Sequence, residues 1–159
     1  MKILFVCLGN ICRSPTAEAV LKDLVVQRGL DGLVEVDSAG TGDWHVGEPP
    51  DPRATEAAAR NGIELEGVAR QVRPADITEF DLIVAMDSSN HADLVAMADG
   101  DREHIVLLRD LAGDQTSDVP DPYFGGEDGF DEVLEIIRAN CDVLLDRVEA
   151  DLGKQGEVA

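Results

Sequence analysis

Four short apolar runs alternate along this chain with segments whose apolar residues recur at three- and four-residue spacing. The runs are residues 2–7, 33–37, 81–86 and 104–108, and helices are predicted after them at 14–29, 53–61, 88–98 and 130–152. Strands that alternate with helices pair in parallel, and near-continuous apolar strands need helices on both faces of the sheet. We therefore predict a small doubly wound α/β fold, of the flavodoxin or Rossmann kind, with a four-stranded parallel sheet.

Length and composition fit one globular domain. The chain has 159 residues, of which 44% are hydrophobic and 29% charged, a balance typical of a folded protein. We expect a single domain over residues 1–152 and a frayed tail over residues 153–159. We expect no signal peptide and no membrane-spanning helix, because no apolar run approaches roughly 20 residues.

The charge balance restricts the partners. Thirteen basic and 33 acidic residues give a net charge of −20, and a field of that sign repels nucleic acids and anionic membranes, so we expect neither as a partner. The acidic excess fits either a soluble surface or adaptation to a salty cytoplasm. Three cysteines are too few for a disulfide framework and predict a reducing, cytoplasmic location.

The loop after the first run, with the sequence CLGNICRSP, joins a strand to a helix. Gly9 and Asn10 tolerate left-handed backbone angles, so the loop is able to curl with its N–H groups inward. The following helix directs its own N–H groups at the same point, and Arg13 adds a bidentate donor for phosphate oxygens. The sequence predicts an oxyanion cradle formed by Leu8, Gly9, Asn10, Ile11, Cys12, Arg13 and Ser14.

Cys7 lies at the edge of this predicted cradle. A positive environment favours the thiolate form of a cysteine, and a thiolate below a phosphorus atom is a nucleophile. Ser14 is spaced to donate its hydroxyl to that thiolate. Taken separately, Cys7 would be interpreted as a buried core cysteine and Arg13 as a solvent-exposed residue at the start of a helix. Their spacing around this loop favours the functional interpretation of both. The loop lacks the Walker A pattern of nucleotide-binding loops.

CLGNICRSP resembles the phosphate-binding loop of the low-molecular-weight protein tyrosine phosphatases, and Asp121-Pro122-Tyr123 resembles their general-acid loop. The resemblance extends over residues 2–150. Further similar stretches are Ser38-Ala39-Gly40-Thr41, Asp43-Trp44, Asp51-Pro52-Arg53, Ala69-Arg70-Gln71 and Met86-Asp87.

The resemblance implies hydrolysis of phosphotyrosine on proteins, and of aryl phosphates, through a phosphocysteine intermediate. It implies that Cys7 is the nucleophile, that Arg13 binds the phosphoryl group and that Asp121 protonates the leaving phenolate. A phenol has a pKa of about 10 and leaves poorly as an anion at neutral pH, which is why an acid is needed. The implied partners are a phosphotyrosine-containing protein and phosphate or another oxyanion in the site. No cofactor or metal is implied, and the three histidines lack metal-ligand spacing.

The resemblance also implies a deep slot for a phenyl ring, which selects phosphotyrosine over the shorter phosphoserine. Its implied walls are Ile11, Trp44, Tyr123 and Phe124. A threonine in place of Ile11 would instead resemble the protein-arginine phosphatase branch.

Ser14 and Ser38 are the implied supports of the loop. Family members often carry a histidine where this chain has Gly67, and that histidine helps to hold the loop asparagine. The sequence leaves Ser38 alone, Arg70 or a water as the remaining supports of Asn10.

The other two cysteines have separate interpretations. Cys12 is either an apolar filler at the helix start or, as the resemblance implies, the disulfide partner that protects an oxidised Cys7. Cys141 lies on the apolar face of the last predicted helix and is predicted to belong to the core.

Two other functions use similar features. A thioredoxin-coupled arsenate reductase shares the fold and the leading cysteine, but it needs two more cysteines and residues 87–140 contain none. A non-catalytic phosphopeptide-binding module would need neither a thiolate nor Asp121.

Overall fold

The computed structural model describes residues 1–111, 113, 118–123 and 127–158. Within these ranges one parallel sheet is formed by β1 (Lys2–Cys7), β2 (Glu35–Gly40), β3 (Leu82–Ala85) and β4 (Ile105–Leu107), in the order β2-β1-β3-β4. The helices are α1 (Arg13–Gln27), α2 (Pro52–Ala59), α3 (Pro74–Glu79), α4 (Ser88–Met97), α5 (Leu108–Leu111) and α6 (Glu127–Val158). The predicted four-stranded α/β fold is confirmed.

The central strand β1 separates two apolar clusters. Successive side chains of a strand point to opposite faces, so Ile3, Phe5 and Cys7 join the cluster shared with α1, α2 and α6. Leu4 and Val6 join the cluster on the other face, with α3 and α4. Because both faces of the sheet are covered, residues 3–7 of β1 are all apolar and buried. Cys7, the last of them, lies at the carboxyl edge of the sheet.

Most predicted elements are present with shifted ends. β2 begins at Glu35 and continues through Gly40, whereas the apolar run predicts 33–37, because residues 38–40 pair with the second half of β1. The periodicity does not predict α3 or α5. These helices have 6 and 4 residues, which is too short for a helical repeat to show in the sequence.

The last helix, α6, is longer than predicted. It begins at Glu127 and runs to Val158, so a helix occupies residues 153–158, where we expected a frayed tail. Cys141 is fully buried in the apolar face of this helix, which confirms its predicted place in the core. In the part of the chain that the structure describes, no helix is both long and apolar enough to cross a membrane.

Candidate active site

The loop after β1 folds around the thiol of Cys7, which is 3% exposed. The sulfur accepts a hydrogen bond from the backbone N–H of Asn10 at 3.3 Å and lies 3.0 Å from the hydroxyl oxygen of Ser14. Asn10 has a φ of 57°, and among the described residues it is the one non-glycine with a left-handed backbone. Asparagine tolerates that conformation better than most residues, and here it directs the N–H at the sulfur.

The carboxamide of Asn10 uses all its hydrogen-bonding groups. Its Nδ2 donates to the hydroxyls of Ser14 at 2.8 Å and Ser38 at 3.0 Å, and its Oδ1 accepts from the N–H of Arg70 at 3.0 Å. Gly67, where the resemblance implies a histidine, has a φ of 83° and no side chain to reach Asn10. Ser38 and the backbone of Arg70 therefore both support the loop asparagine.

Arg13 begins α1 and is 2% exposed. Its Nη1 donates to Asp87 Oδ2 at 2.7 Å and to the carbonyl of Val119 at 3.0 Å, while Nη2 lies 3.5 Å from Asp121 Oδ2. Burial lowers the pKa of Arg13, but the attraction of Cys7 and Asp87 outweighs it and raises the pKa above its ordinary value. The guanidinium is a permanent positive charge that these hydrogen bonds hold in one position beside the cavity.

Asp87 is a site residue whose contacts the sequence pattern does not predict. It follows β3 and caps α4, where its Oδ1 accepts from the N–H of Asn90 at 2.8 Å. Its other oxygen binds Arg13. The available signal is an aspartate between a strand and a helix at the same sheet edge as Cys7, where ligands of such folds bind.

Asp121 lies in the described segment 118–123. One carboxylate oxygen accepts the N–H of Tyr123 at 3.0 Å and so fixes a local turn, while the other faces Arg13. The side chain is 37% exposed, so it reaches solvent. Asp121, Arg13 and Cys7 line one cavity, which brings a carboxyl, a guanidinium and a thiol to the same space.

That cavity has a volume of about 240 Å³. Three of the predicted slot walls line it, namely Ile11, Trp44 and Tyr123, whereas Phe124 lies outside the described residues. Trp44 is 70% exposed at the rim. Its indole ring lies so close to Gly42 that any side chain at that glycine would collide with the ring.

His45 also lines the cavity, although its spacing in the sequence indicates no role. Its ring approaches Gly9 of the loop, lies 6.0 Å from the ring centre of Tyr123 and pairs through Nδ1 with Glu48. Nowhere in residues 1–111, 113, 118–123 or 127–158 do three His, Cys, Asp or Glu side chains form a cluster able to hold a metal ion.

Asp51 and Arg53 connect the loop after β1 to the segment 118–123. The N–H of Asp51 donates to the carbonyl of Ile11 at 2.8 Å, and its carboxylate caps α2 and pairs with Arg53 at 3.0 Å. Arg53 in turn donates to the carbonyl of Tyr123 at 3.0 Å. Burial raises the pKa of Asp51, but hydrogen bonds from Arg53 outweigh it and hold the pKa below its ordinary value. The carboxylate is therefore charged in the folded protein.

Cys12 lines the same cavity and is 6% exposed. Burial, followed by the negative charge of Asp51, raises the pKa of its thiol far above the ordinary value. Cys12 is therefore a protonated thiol at neutral pH. Burial also raises the pKa of Cys141, whose sulfur lies in the core.

Residues 2–155 match one protein family, described as low molecular weight phosphotyrosine protein phosphatase. The chain is 45% identical over 154 residues to the low molecular weight protein-tyrosine-phosphatase YfkJ of Bacillus subtilis, which covers 95% of this chain and 97% of that protein. The crystal structure of YfkJ superposes with a TM-score of 0.90 over 95% of this chain and 96% of that chain.

Two further solved structures are similar. A protein tyrosine phosphatase from Entamoeba histolytica, with Hepes in its active site, is 38% identical and has a TM-score of 0.90, covering 95% of this chain and 98% of that one. The drosophila arginine phosphatase DARP is also 38% identical, with a TM-score of 0.87 and coverage of 93% and 98%. The chain is thus a phosphatase, and it belongs to the low molecular weight phosphotyrosine protein phosphatase family.

Proposed function

We propose that the chain hydrolyses phosphotyrosine on proteins in two steps, with Cys7, Arg13 and Asp121 as its catalytic residues. The Cys7 thiolate attacks phosphorus, so that an S–P bond forms while the bond to the phenolic oxygen breaks. Asp121 gives its proton to that oxygen and the tyrosine leaves. Asp121 then removes a proton from water, which attacks phosphorus and releases inorganic phosphate and the Cys7 thiolate.

The observation that carries this proposal is the shared cavity of a thiol, a buried guanidinium and a carboxyl. Arg13 is held by Asp87 and Val119, so its charge is already in position to bind an oxyanion. The Asn10 N–H and the Ser14 hydroxyl lie within hydrogen-bond reach of the sulfur, where they stabilise a thiolate.

The cavity walls support an aryl substrate. Ile11, Trp44 and Tyr123 line the cavity with apolar surface against which a phenyl ring would pack. A phosphoserine side chain is too short to reach this surface. The likeness to DARP makes phosphoarginine the competing substrate, and a branched apolar residue at position 11 favours phosphotyrosine.

The deciding experiment compares phosphotyrosine, phosphoserine and phosphoarginine peptides of one sequence. We expect phosphotyrosine to be hydrolysed far faster than the other two. Cys7→Ser should abolish turnover and retain vanadate binding. Cys141→Ser makes the same substitution in the core, where a helical serine is able to bond a backbone carbonyl, and should keep turnover. Comparable turnover in Cys7→Ser and the parent, or a preference for phosphoarginine, would contradict the proposal.

We also propose that Cys12 protects Cys7 during oxidation. Peroxide converts the Cys7 thiolate to a sulfenic acid and releases hydroxide; the Cys12 thiol then attacks that sulfur, forming a disulfide with loss of water. The proposal is supported by two buried cysteines that line one cavity. The raised pKa of Cys12 makes Cys7 the cysteine that peroxide oxidises first. The alternative is that Cys12 only fills space at the start of α1.

Mass spectrometry after mild peroxide treatment distinguishes these roles. A disulfide between Cys7 and Cys12, and recovery of activity with a thiol reductant, are expected for the parent. Cys12→Ser should lose much of this recovery, whereas Cys141→Ser should keep it. Reversible inactivation without a Cys7–Cys12 bond would leave Cys12 as packing alone.

We propose a reducing, cytoplasmic location, supported by the low cysteine content and the three free thiols of the folded chain. Fractionation of cells that express the chain should recover the activity with cytoplasmic markers. Recovery in a secreted or membrane fraction would contradict this.

A further inference from the structure

The hydroxyl of Ser38 has a second partner besides Asn10, namely Glu18 of α1. Ser38 Oγ donates to Glu18 Oε1 at 2.6 Å and accepts from Asn10 Nδ2 at 3.0 Å. Glu18 follows Ser14 by four residues on α1, so both side chains lie on one face of the helix. The second Glu18 oxygen accepts from Lys22 at 2.5 Å.

The direction of each hydrogen bond follows from the donors available. An ionised carboxylate only accepts, so the single proton of the Ser38 hydroxyl goes to Glu18 and its lone pair is left for Asn10 Nδ2. At the other end of the carboxamide, the N–H of Arg70 only donates, so it must meet Asn10 Oδ1. Glu18 and Arg70 together allow one orientation of the Asn10 amide.

That orientation determines where the proton of Ser14 points. Asn10 Nδ2 donates to Ser14 Oγ at 2.8 Å, so the Ser14 hydroxyl does not donate to Asn10. Its two remaining acceptors are the sulfur of Cys7 at 3.0 Å and the carbonyl of Ala39 at 3.4 Å, and the sulfur is the nearer. Two chains of hydrogen bonds therefore diverge from the Asn10 amide, one through Ser14 to the nucleophile and the other through Ser38 to Glu18. Hydrogen bonds aligned in this way strengthen one another.

We infer that Glu18 is a positioning residue for the nucleophile: by accepting the Ser38 proton it orients the Asn10 carboxamide and directs the Ser14 hydroxyl at Cys7. Gly67 supplies no side chain to this network, so the carboxylate of Glu18 acts on Ser38 directly. The inference rests on the proposed function, because it assigns Glu18 a part in preparing the proposed thiolate.

The test removes the acceptor without touching the cavity. Glu18→Met and Glu18→Ala delete both carboxylate oxygens, and Glu18→Gln keeps one acceptor oxygen at the same reach. Asp23→Met, five residues further along the same helix, is the matched control, because Asp23 contacts Gln27 at the surface. Thermal unfolding identifies the folded variants, and either folded acceptor-deleted variant suffices for the comparison.

Two experiments are carried out at neutral pH. The first measures the rate at which iodoacetamide alkylates Cys7, and the second measures kcat and KM for a phosphotyrosine peptide. Glu18→Met should lower the alkylation rate and kcat by about tenfold, the equivalent of one lost hydrogen bond, with KM nearly unchanged. Glu18→Gln should recover most of both losses, which a role in packing or surface charge would not produce. Asp23→Met should equal the parent.

The dependence on Ser38 completes the test. Because Glu18 acts through Ser38, the double variant of Glu18→Met and Ser38→Ala should be no slower than Ser38→Ala alone. Equal alkylation and kcat in Glu18→Met and Asp23→Met, or additive losses in the double variant, would overturn the inference while leaving the phosphatase activity of the parent intact. Absence of parental activity toward the phosphotyrosine peptide would instead overturn the proposed function.

Discussion

The guanidinium of Arg53 donates a hydrogen bond to the carbonyl oxygen of Tyr123 at 3.0 Å, and its Cζ lies 5.5 Å from the centre of the Tyr123 ring. The same guanidinium lies 4.7 Å from the ring centre of Phe130, at the beginning of α6. The carboxylate of Asp51 forms an ion pair with Arg53. The N–H of Asp51 donates a hydrogen bond to the carbonyl of Ile11, in the loop after β1. Arg53, together with Asp51, therefore links the loop of the nucleophile to the segment that carries Asp121.

Replacement of Arg53 should misplace the proposed acid. We expect Arg53→Met to lower kcat for a phosphotyrosine peptide by about tenfold to a hundredfold, because a displacement near 1 Å has effects of that size. Nitrophenyl phosphate should be affected less, since its leaving group needs little protonation. Arg60→Met, which removes a surface pair with Asp131, is the control and should leave the ratio of the two rates unchanged. Equal losses with both substrates would assign Arg53 to substrate binding instead.

Asp121→Ala should slow catalysis in proportion to the basicity of the leaving group. General acid assistance is typically worth about 10²–10⁴-fold, so hydrolysis of phosphotyrosine should fall by a factor in that range and that of nitrophenyl phosphate noticeably less. The measurement is kcat against leaving-group pKa for a series of aryl phosphates. Alanine variants of Asp118, Glu127 and Asp128, the other acids of this region, should keep the parental slope. If Asp121→Ala kept the parental slope, another residue would be the general acid.

Asp76→Asn should destabilise the fold at neutral pH. Asp76 is fully buried and accepts from the guanidinium of Arg70 at 3.0 Å and from the N–H of Arg73 at 2.7 Å. Burial raises the pKa of Asp76, but these bonds outweigh it and hold the pKa below its ordinary value. We expect a loss of about 2 kcal/mol in the free energy of unfolding, which is the usual cost of a hydrogen bond to a buried charge.

The pH dependence of this loss has a definite sign. A carboxyl with a lowered pKa stabilises the folded state above its unfolded pKa, about 3.9, and the stabilisation disappears as the pH falls through the folded value. Urea unfolding should show a constant difference between parent and Asp76→Asn from pH 7 to about 5, and a narrowing one below about 4. Asp31→Asn, on the surface, should track the parent throughout. A difference that grows toward low pH would contradict the assignment.

Arg28 should contribute a stabilisation that salt weakens. At the carboxyl end of α1 it pairs with three acids of α6, namely Asp142, Asp146 and Glu149, at 2.7 to 3.1 Å. The hydrogen bond that Arg28 donates to Glu149, followed by those to the two aspartates, raises the pKa of Arg28. These acids are largely exposed, so Arg28→Met should cost only about 1 kcal/mol at low ionic strength and less in 1 M salt. Arg147→Met is the control; a salt-independent loss would point to packing of the Arg28 stem.

Local patterns predict the part of the site that lies within one stretch of chain. β1, the curl at Asn10 and the start of α1 follow one another over a few residues, so their apolar run, left-handed position and helix start are all visible in the sequence. The identity of the family follows from that same stretch and from Asp121. The strand ends at the sheet edge for a reason that needs no tertiary information, namely that its apolar run stops at Gly9.

Contacts between distant residues are not predictable in this way. Asn10 meets Ser38, 28 residues away, because β1 pairs with β2 in a register that places Phe5 opposite Ser38. It meets Arg70, 60 residues away, because the segment of Arg70 and Gln71 pairs with Gly40 at the end of β2. An alternating apolar pattern fixes which face a residue occupies and leaves register open. The same limit explains why the ion pair of Asp87 with Arg13 and the place of His45 at the cavity do not follow from local sequence patterns.

Asp87 has a consequence that reaches beyond binding. Its two oxygens have separate partners, Arg13 on one and the N–H of Asn90 on the other. Any shift of the Arg13 guanidinium toward an oxyanion redistributes the charge of this carboxylate and so changes the magnetic environment of the Asn90 amide proton. That proton lies in the first turn of α4 and does not line the cavity, so we expect its NMR chemical shift to report occupancy of the site.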